Sequence, residues 1–285
     1  MDIKTPTTID EQIEKLKVRG CIIEDYYSAY LFLQQINYYR LSAYFLPFRT
    51  GNGTYSNNLH FTRIMDIYGF DRKLRSLILP VIEEIEIMFR TFLAYRHSHE
   101  YGALGYKDPK NFNSKHRHQN FLDQIEKDIT SNRKMAFVKH HVEHYNGDFP
   151  MWVLIEIFTY GQLSRFYSDM HLKDRKSISS NFFTHPQYIQ SWLRCLTDLR
   201  NRCAHYSRLY YYIFPSQPKT PKNSKYQMGS QLFDYLLVLY YLYPNRCARQ
   251  TGFYPQLCAL IEQYQESIDM KHIGFPENWD KLLSS

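Results

Sequence analysis

The chain of 285 residues has few of the residues that punctuate structure: 11 Gly and 12 Pro, scattered rather than clustered. That scarcity excludes a low-complexity disordered chain and argues against an all-β chain rich in turns. Its five cysteines, at positions 21, 195, 203, 247 and 258, form no Cys-x-x-Cys pair, and none of their spacings suits a zinc site. The polar start MDIKTPTTIDEQIEKLK lacks the apolar stretch of a secretory signal, so a reduced, cytoplasmic protein with buried thiols is expected. No apolar run reaches about 18 residues, so no membrane span is expected. Glycine-rich phosphate loops, dinucleotide-binding glycine triplets and the Gly-x-Ser-x-Gly elbow are also missing.

What is abundant is aromatic. With 26 Tyr and 19 Phe, aromatic residues make up 17% of the chain. Tyr serves as core filler with a polar tip, or as a platform on which bases stack. Composition alone favours the first. The hydrophobic fraction, 44%, suffices for a sizeable core. Net charge is +7, and its distribution is uneven. Between Gln190 and Lys225, seven basic residues (Arg194, Arg200, Arg202, Arg208, Lys219, Lys222, Lys225) face Asp198 alone, a local net of +6. Such a basic stretch points towards nucleic acid.

Periodicity is helical almost throughout, and the expected fold class is all-α, with no confident strand and no internal repeat. Thr8 and Glu11 have the form of a capping box that opens a first helix. A second helix is expected over about 25–36. The longest begins near Phe61, where Ile78, Val81, Ile82, Ile85, Phe89 and Leu93 recur at three- and four-residue steps. Pro80 is expected to kink or divide it. Further helices are expected over about 118–130, 135–145, 151–167, 173–181 and 188–212. Phe214 to Met228 reads as a basic linker, followed by helices over 231–243 and 254–268. The whole is read as a single domain over 1–285: N-terminal helices to about 60, then a core over about 61–270.

The stretch Arg200-Asn201-Arg202-Cys203-Ala204-His205 draws most attention. Arg and His separated by four to six residues is a loose pattern. Random placement gives about two such pairs, whereas the chain has four: Arg90/His97, Arg133/His140, Arg165/His171 and Arg200/His205. Only the last has Asn directly after Arg, lies in the basic stretch, and precedes a run of aromatics (Tyr206, Tyr210, Tyr211, Tyr212, Phe214). Cations interleaved with aromatics mark single-stranded nucleic-acid grooves.

The residue types suit RNA cleavage. A ribose 2′-OH can attack its own 3′ phosphate when one group takes its proton and another protonates the leaving oxygen. Histidine does either near neutral pH. Arginine steadies the charge of the crowded phosphate. The expected catalytic residues are therefore Arg200, Asn201 and His205. Arg194, Arg202, Tyr206, Arg208 and Tyr211 are expected to contact RNA, although Arg202 could instead pair with Asp198 one turn away. Glu86 and Arg90, i,i+4 neighbours on the long helix, are solvated surface or a support for the site. On an ideal helix Asn201 and His205 lie about 40° apart, but Arg200 and His205 about 140°. One helix does not aim both at one phosphate, so an irregular helix, a reaching Arg or two copies of the motif is needed. The last option implies a dimer.

His140-His141-Val142-Glu143-His144 has the spacing of a zinc-protease helix. No third ligand is marked, so a polar helix face is the better reading. No metal and no cofactor are expected.

The sequence resembles the Abi (abortive infection) family of bacterial phage-defence proteins, the AbiD/AbiF-like group. The likeness is carried by TIDEQIEKLKVRG, INYYRLSAYFLPF, IYGFDRKLRSLILPVIEEIEIMFRTFLAY, MWVLIEIFTYGQLSRFY, SWLRCLTDLRNRCAHYSRLY and GFPENW, which span nearly the whole chain. The resemblance implies an all-helical bundle of the HEPN type and RNA damage that halts phage growth. HEPN nucleases carry an Arg, then Asn, His, Asp or Lys, then three residues and His; Arg200, Asn201 and His205 match this. They act commonly as homodimers with facing motifs, and some relatives are restrained by a small non-coding RNA. Bacterial cytoplasm, an RNA substrate and no membrane partner follow from the likeness. One departure concerns toxins paired with a nucleotidyltransferase antitoxin, many of which have Tyr two residues after the His. Here that position is Ser207, which puts such regulation in doubt. The alternative is a HEPN module that binds RNA or protein without cutting.

Overall fold

The computed structural model describes residues 5–243 and 252–284. It is an all-α bundle that also holds a two-residue parallel pairing, β1 (Cys21–Ile22) with β2 (Leu59–His60), and two isolated bridges, Arg49 with Tyr55 and Phe112 with Met170. The N-terminal helices are α1 (Ile9–Val18), α2 (Tyr26–Gln35) and α3 (Tyr38–Ser42). The expected capping box is present: the Glu11 amide donates to Thr8 Oγ1, and the Thr8 amide donates to the Glu11 carboxylate at 2.7 Å. It starts α1 so that Ile13 and Leu16 face inward.

The axis of the fold is α4 (Phe61–Tyr101), 41 residues and about 60 Å long. Pro80 lies inside it and does not divide it. The proline lacks the N–H that would bond the Ser76 carbonyl, and both residues lie on an exposed face of the helix. One face of α4 is a buried stripe, including Ile64, Ile67, Phe70, Leu74, Ile78, Ile85, Phe89 and Leu93.

After α4 come α5 (His118–Ser131) and α6 (Ala136–His144). The helix expected over 151–167 is two helices, α7 (Met151–Leu154) and α8 (Tyr160–Asp169). A capping box starts the second: the Gln162 amide donates to Thr159 Oγ1, and the Thr159 amide donates to Gln162 Oε1. A cap at Thr159 holds extended backbone there, which ends any continuous helix. Arg90 of α4 donates to the carbonyls of Ile155 and Phe158 and so satisfies the break.

Helix α9 (Leu172–Ser179) leads to α10 (Pro186–Ala204), with Pro at the favoured first position. Trp192, Leu193, Leu196, Leu199 and Cys203 bury one face of α10 against α4, α8 and α9. Its other neighbour is α11 (Leu232–Leu242), apolar and buried nearly all round. A last pair, α12 (Tyr254–Tyr264) and α13 (Trp279–Ser284), closes the chain, and α12 lies along α4.

The segment 214–228 has no helix, as expected, but it is strapped to α10. Trp192 Nε1 donates to the Lys219 carbonyl at 3.0 Å, the Lys219 amide donates to Ser191 Oγ, and the Lys222 amide donates to the Tyr188 hydroxyl. Cys21, Cys195 and Cys203 are buried, and burial pushes each thiol up to about 12. Cys258 is half-buried, and Cys247 lies outside the described residues. Among the described residues no helix is long and apolar enough to cross a membrane.

Candidate active site at the end of α10

The helix expected to run to about Tyr212 stops at Ala204, inside the motif. His205 is the C-cap, at φ −94° and ψ 15°. Tyr206 turns left-handed, at φ 56°. Its amide donates to the Cys203 carbonyl at 3.1 Å, and the Ser207 amide donates to the Arg202 carbonyl at 2.8 Å. These are the two bonds of a Schellman termination, which normally recruits glycine at the left-handed position. A tyrosine there costs about 1 kcal/mol of backbone strain, so surrounding contacts must hold it.

Those contacts come from far away in sequence. Arg40 of α3 donates to the Tyr206 carbonyl and also to the Tyr68 hydroxyl. Arg75 of α4 donates to the Ser207 carbonyl at 3.3 Å. Asp71, fully buried on α4, accepts from the amides of Leu209 (3.1 Å) and Tyr210 (2.8 Å), from the Tyr44 hydroxyl (2.7 Å) and from Arg75. Burial lowers the Arg75 pKa, but Asp71 and Tyr44 more than offset it, and the net direction is up. Burial and then Asp71 hold the Tyr44 phenol protonated, its pKa raised well above its ordinary value. The result is a buried carboxylate that pins residues 209–210, just past the turn, to the central helix.

Arg202 and Arg208, two of the expected RNA contacts, take part in the same clamp. Arg202 donates twice to the Arg208 carbonyl and stacks on Tyr212, its guanidinium carbon 3.4 Å from the ring centre. Arg208 donates to the carbonyls of Tyr210 and Tyr211, and burial lowers its pKa. Arg202 is thus committed to the turn rather than to Asp198. Tyr206 is 72% exposed beside the motif. Tyr211, also left-handed and exposed, packs edge-on against His272.

Of the three motif residues, Asn201 and His205 are exposed on the outer side of α10, and among the described residues neither side chain has an internal hydrogen bond. Arg200 leans the other way: its Nε lies 3.9 Å from Glu86 Oε2 of α4. Glu86 also pairs with Arg90. Glu86 and Arg90, expected to support the site, thus form a chain of ion pairs with Arg200, from the α7–α8 break to the motif. Arg194 is exposed two turns earlier on α10 and has no internal partner among the described residues.

The other Arg/His pairs look different. His97 is fully buried among Tyr101, Phe112 and Phe166. Burial pulls its pKa down to about 4, partly countered by Asp174, and neither ring nitrogen is hydrogen-bonded. His171 Nε2 is taken by the Lys110 carbonyl. In the 140–144 stretch, His141 bonds its own helix and stacks on Phe149, and Glu143 faces Lys139 at 3.7 Å. Among the described residues no three His, Cys, Asp or Glu are grouped to hold a metal ion.

Sequence reasoning missed Arg40, Tyr44, Asp71 and Arg75, the residues that hold the turn. Asp71 and Arg75 stand one helical turn apart, but an i,i+4 pair reads as surface until burial is known.

A model of the family described as Abi-like protein matches residues 31–211. No curated protein and no solved structure matches the chain.

Proposed function

Because the chain belongs to the Abi-like protein family, we propose that it is an abortive-infection endoribonuclease that cuts RNA at a site built from Arg200, Asn201 and His205. The observation that carries this reading is the clamped turn. The chain ties residues 206–210 to two helices and spends strain on Tyr206, yet leaves the adjacent His205 ring exposed and without an internal partner. Strain held by its surroundings beside an accessible imidazole is what a preorganised reactive site requires.

In the proposed reaction the 2′ oxygen bonds to phosphorus as the bond from phosphorus to the 5′ oxygen breaks. The products are a 2′,3′-cyclic phosphate and a 5′-hydroxyl. One imidazole takes the 2′ proton and another gives a proton to the leaving oxygen. The attacking oxygen belongs to the substrate, so the chemistry needs no metal-activated water. Arg200 meets the phosphate charge from a guanidinium already oriented by Glu86. Asn201 shares the outer face of α10 with His205 and positions the strand. Since each motif offers a single imidazole, two copies facing each other supply the base and the acid, which is the homodimer implied by the family resemblance.

His205→Ala protein should lose RNA cleavage by at least about 100-fold while keeping its helical spectrum and its RNA affinity. Cleavage by the parent should persist in EDTA. Parent-like cutting by the variant would exclude His205 from the chemistry.

A further inference from the structure

A cleft of about 1150 Å³ opens on the face of the bundle where α5, α8 and α10 meet. It does not contain the motif, and the sequence pattern gave no hint of it beyond Arg194. Four basic side chains line it: Lys115, Arg117, Arg165 and Arg194. All four are exposed, and among the described residues none makes a hydrogen bond or salt bridge through its charged group. Two carboxylates share the lining, Asp169 and Asp198. Asp169 is already engaged, its Oδ2 2.9 Å from Nδ1 of the nearly buried His116. The cleft thus has an excess of uncommitted positive charge. By contrast, Arg40, Arg75, Arg90, Arg96, Arg202 and Arg208 each hold carbonyls or carboxylates.

The cleft is aligned with the motif. At 100° per residue, Arg194, Thr197, Asp198, Asn201 and His205 fall within one stripe about 100° wide on α10. The first three line the cleft, and the last two follow within two turns. From Arg194 to His205 the stripe runs about 16 Å, a few nucleotides of extended chain. The lining suits a single strand better than a duplex. Phe121 offers a partly exposed ring, and Asn120 and Gln124 offer amide groups for base edges. A rigid A-form duplex is recognised across its surface and does not fit into a concave pocket of this kind.

We infer that this cleft is the entry groove for single-stranded RNA, in which Arg165 of α8 and Arg194 of α10 hold phosphates flanking the bond presented to His205. The inference rests on the ribonuclease reading for the direction in which the strand runs, but binding in the groove can be tested without cleavage. The probe is a short 2′-O-methyl oligoribonucleotide, which lacks the attacking hydroxyl. Its affinity is measured across a salt series for the parent, for Arg165→Gln/Arg194→Gln, and for Lys222→Gln/Lys225→Gln on the strap over 214–228.

The cleft variant should bind at least about tenfold more weakly at low salt, and its slope of log affinity against log salt should be shallower by about 0.7 for each phosphate that is no longer neutralised. The strap variant should bind like the parent. All four positions are exposed, so helical spectra and unfolding midpoints should be unchanged. Parent-like affinity and slope in the cleft variant would overturn the proposal, as would loss of binding in the strap variant alone. So would a mononucleotide that binds as tightly as the oligonucleotide through the same two arginines, since that would make the cleft a nucleotide pocket. If His205→Ala still cuts RNA while the cleft variant binds poorly, the groove stands and the motif assignment falls. If His205→Ala is inactive while the cleft variant binds normally, the reverse holds.

Discussion

Replacing Asp71 by Asn keeps the side chain's shape and removes its charge. Both carboxylate oxygens now accept from more than one donor: Oδ1 from the amides of Leu209 and Tyr210, and Oδ2 from Tyr44 and Arg75. A side-chain amide offers one acceptor oxygen and one donor group. Whichever way the substituted side chain is flipped, its NH₂ meets a group that can only donate, the Leu209 and Tyr210 amides or Arg75, and Arg75, itself buried, is left without its counter-charge. Breaking a buried ion pair from one side costs about 3–5 kcal/mol. For a chain of this length that lowers the melting temperature by roughly 5–8 °C. The loss should fall on the turn as well as on global stability, so cleavage should drop even at temperatures where the variant is fully folded. The assay is thermal unfolding paired with single-turnover cleavage of a labelled oligoribonucleotide. A double-mutant cycle with Arg75→Met separates the pair from its surroundings, because the second substitution should cost little once Asp71 is gone. If Asp71→Asn melts within about 1 °C of the parent and cuts at the same rate, the carboxylate does not hold the site as described.

His97 should make the fold acid-sensitive. Its ordinary pKa is 6.5, and burial lowers it to about 4 in the folded chain. Below about 6.5 the unfolded chain gains a proton that the native ring refuses, so stability falls as pH drops through this window, by about 3 kcal/mol in all. Denaturant midpoints measured between pH 7 and about pH 4.5 should show this slope in the parent and a much smaller one in His97→Leu. Tyr206→Gly should relieve the left-handed strain and raise stability by about 0.5–1 kcal/mol, read as a higher urea midpoint, while weakening RNA binding if the exposed ring stacks on a base. A lower midpoint would mean that Tyr206 packs more than its exposure suggests.

How much of this was legible beforehand differs from feature to feature. The long apolar stripe of α4 and the cap at Thr8 were plain in the sequence, because both are local patterns with a fixed period or spacing. The break before Thr159 carried a signal that periodicity overrode: Thr159 and Gln162 form a capping box, but the apolar residues on either side continue a helical rhythm. The stop at Ala204 had no such signal, since tyrosine occupies the place where glycine would announce it. Its cause lies more than 130 residues upstream, in Asp71 and Arg75. Arg202 and Arg208 illustrate the same limit. Composition counts them as positive charge facing a ligand, whereas the fold uses them to staple the turn. The link from Glu86 to Arg200 was partly legible, but the cleft was not, because Lys115, Arg117, Arg165 and Arg194 come from three separate stretches.

The turn after His205 also has a consequence for the order in which its contacts are completed during synthesis. Arg40, Tyr44, Asp71 and Arg75 leave the ribosome well before the motif does, so the receiving side of the clamp is synthesised before residues 200–210 emerge. The final lock comes later. The Tyr210 hydroxyl accepts from the Asp269 amide at 2.9 Å and sits 2.9 Å from Nδ1 of His272. A nascent chain that stops short of these residues carries the whole motif but lacks the contacts that brace the turn from the far side. The bracing of the turn is therefore complete only once residues 269–272 have emerged, about 60 residues after the motif.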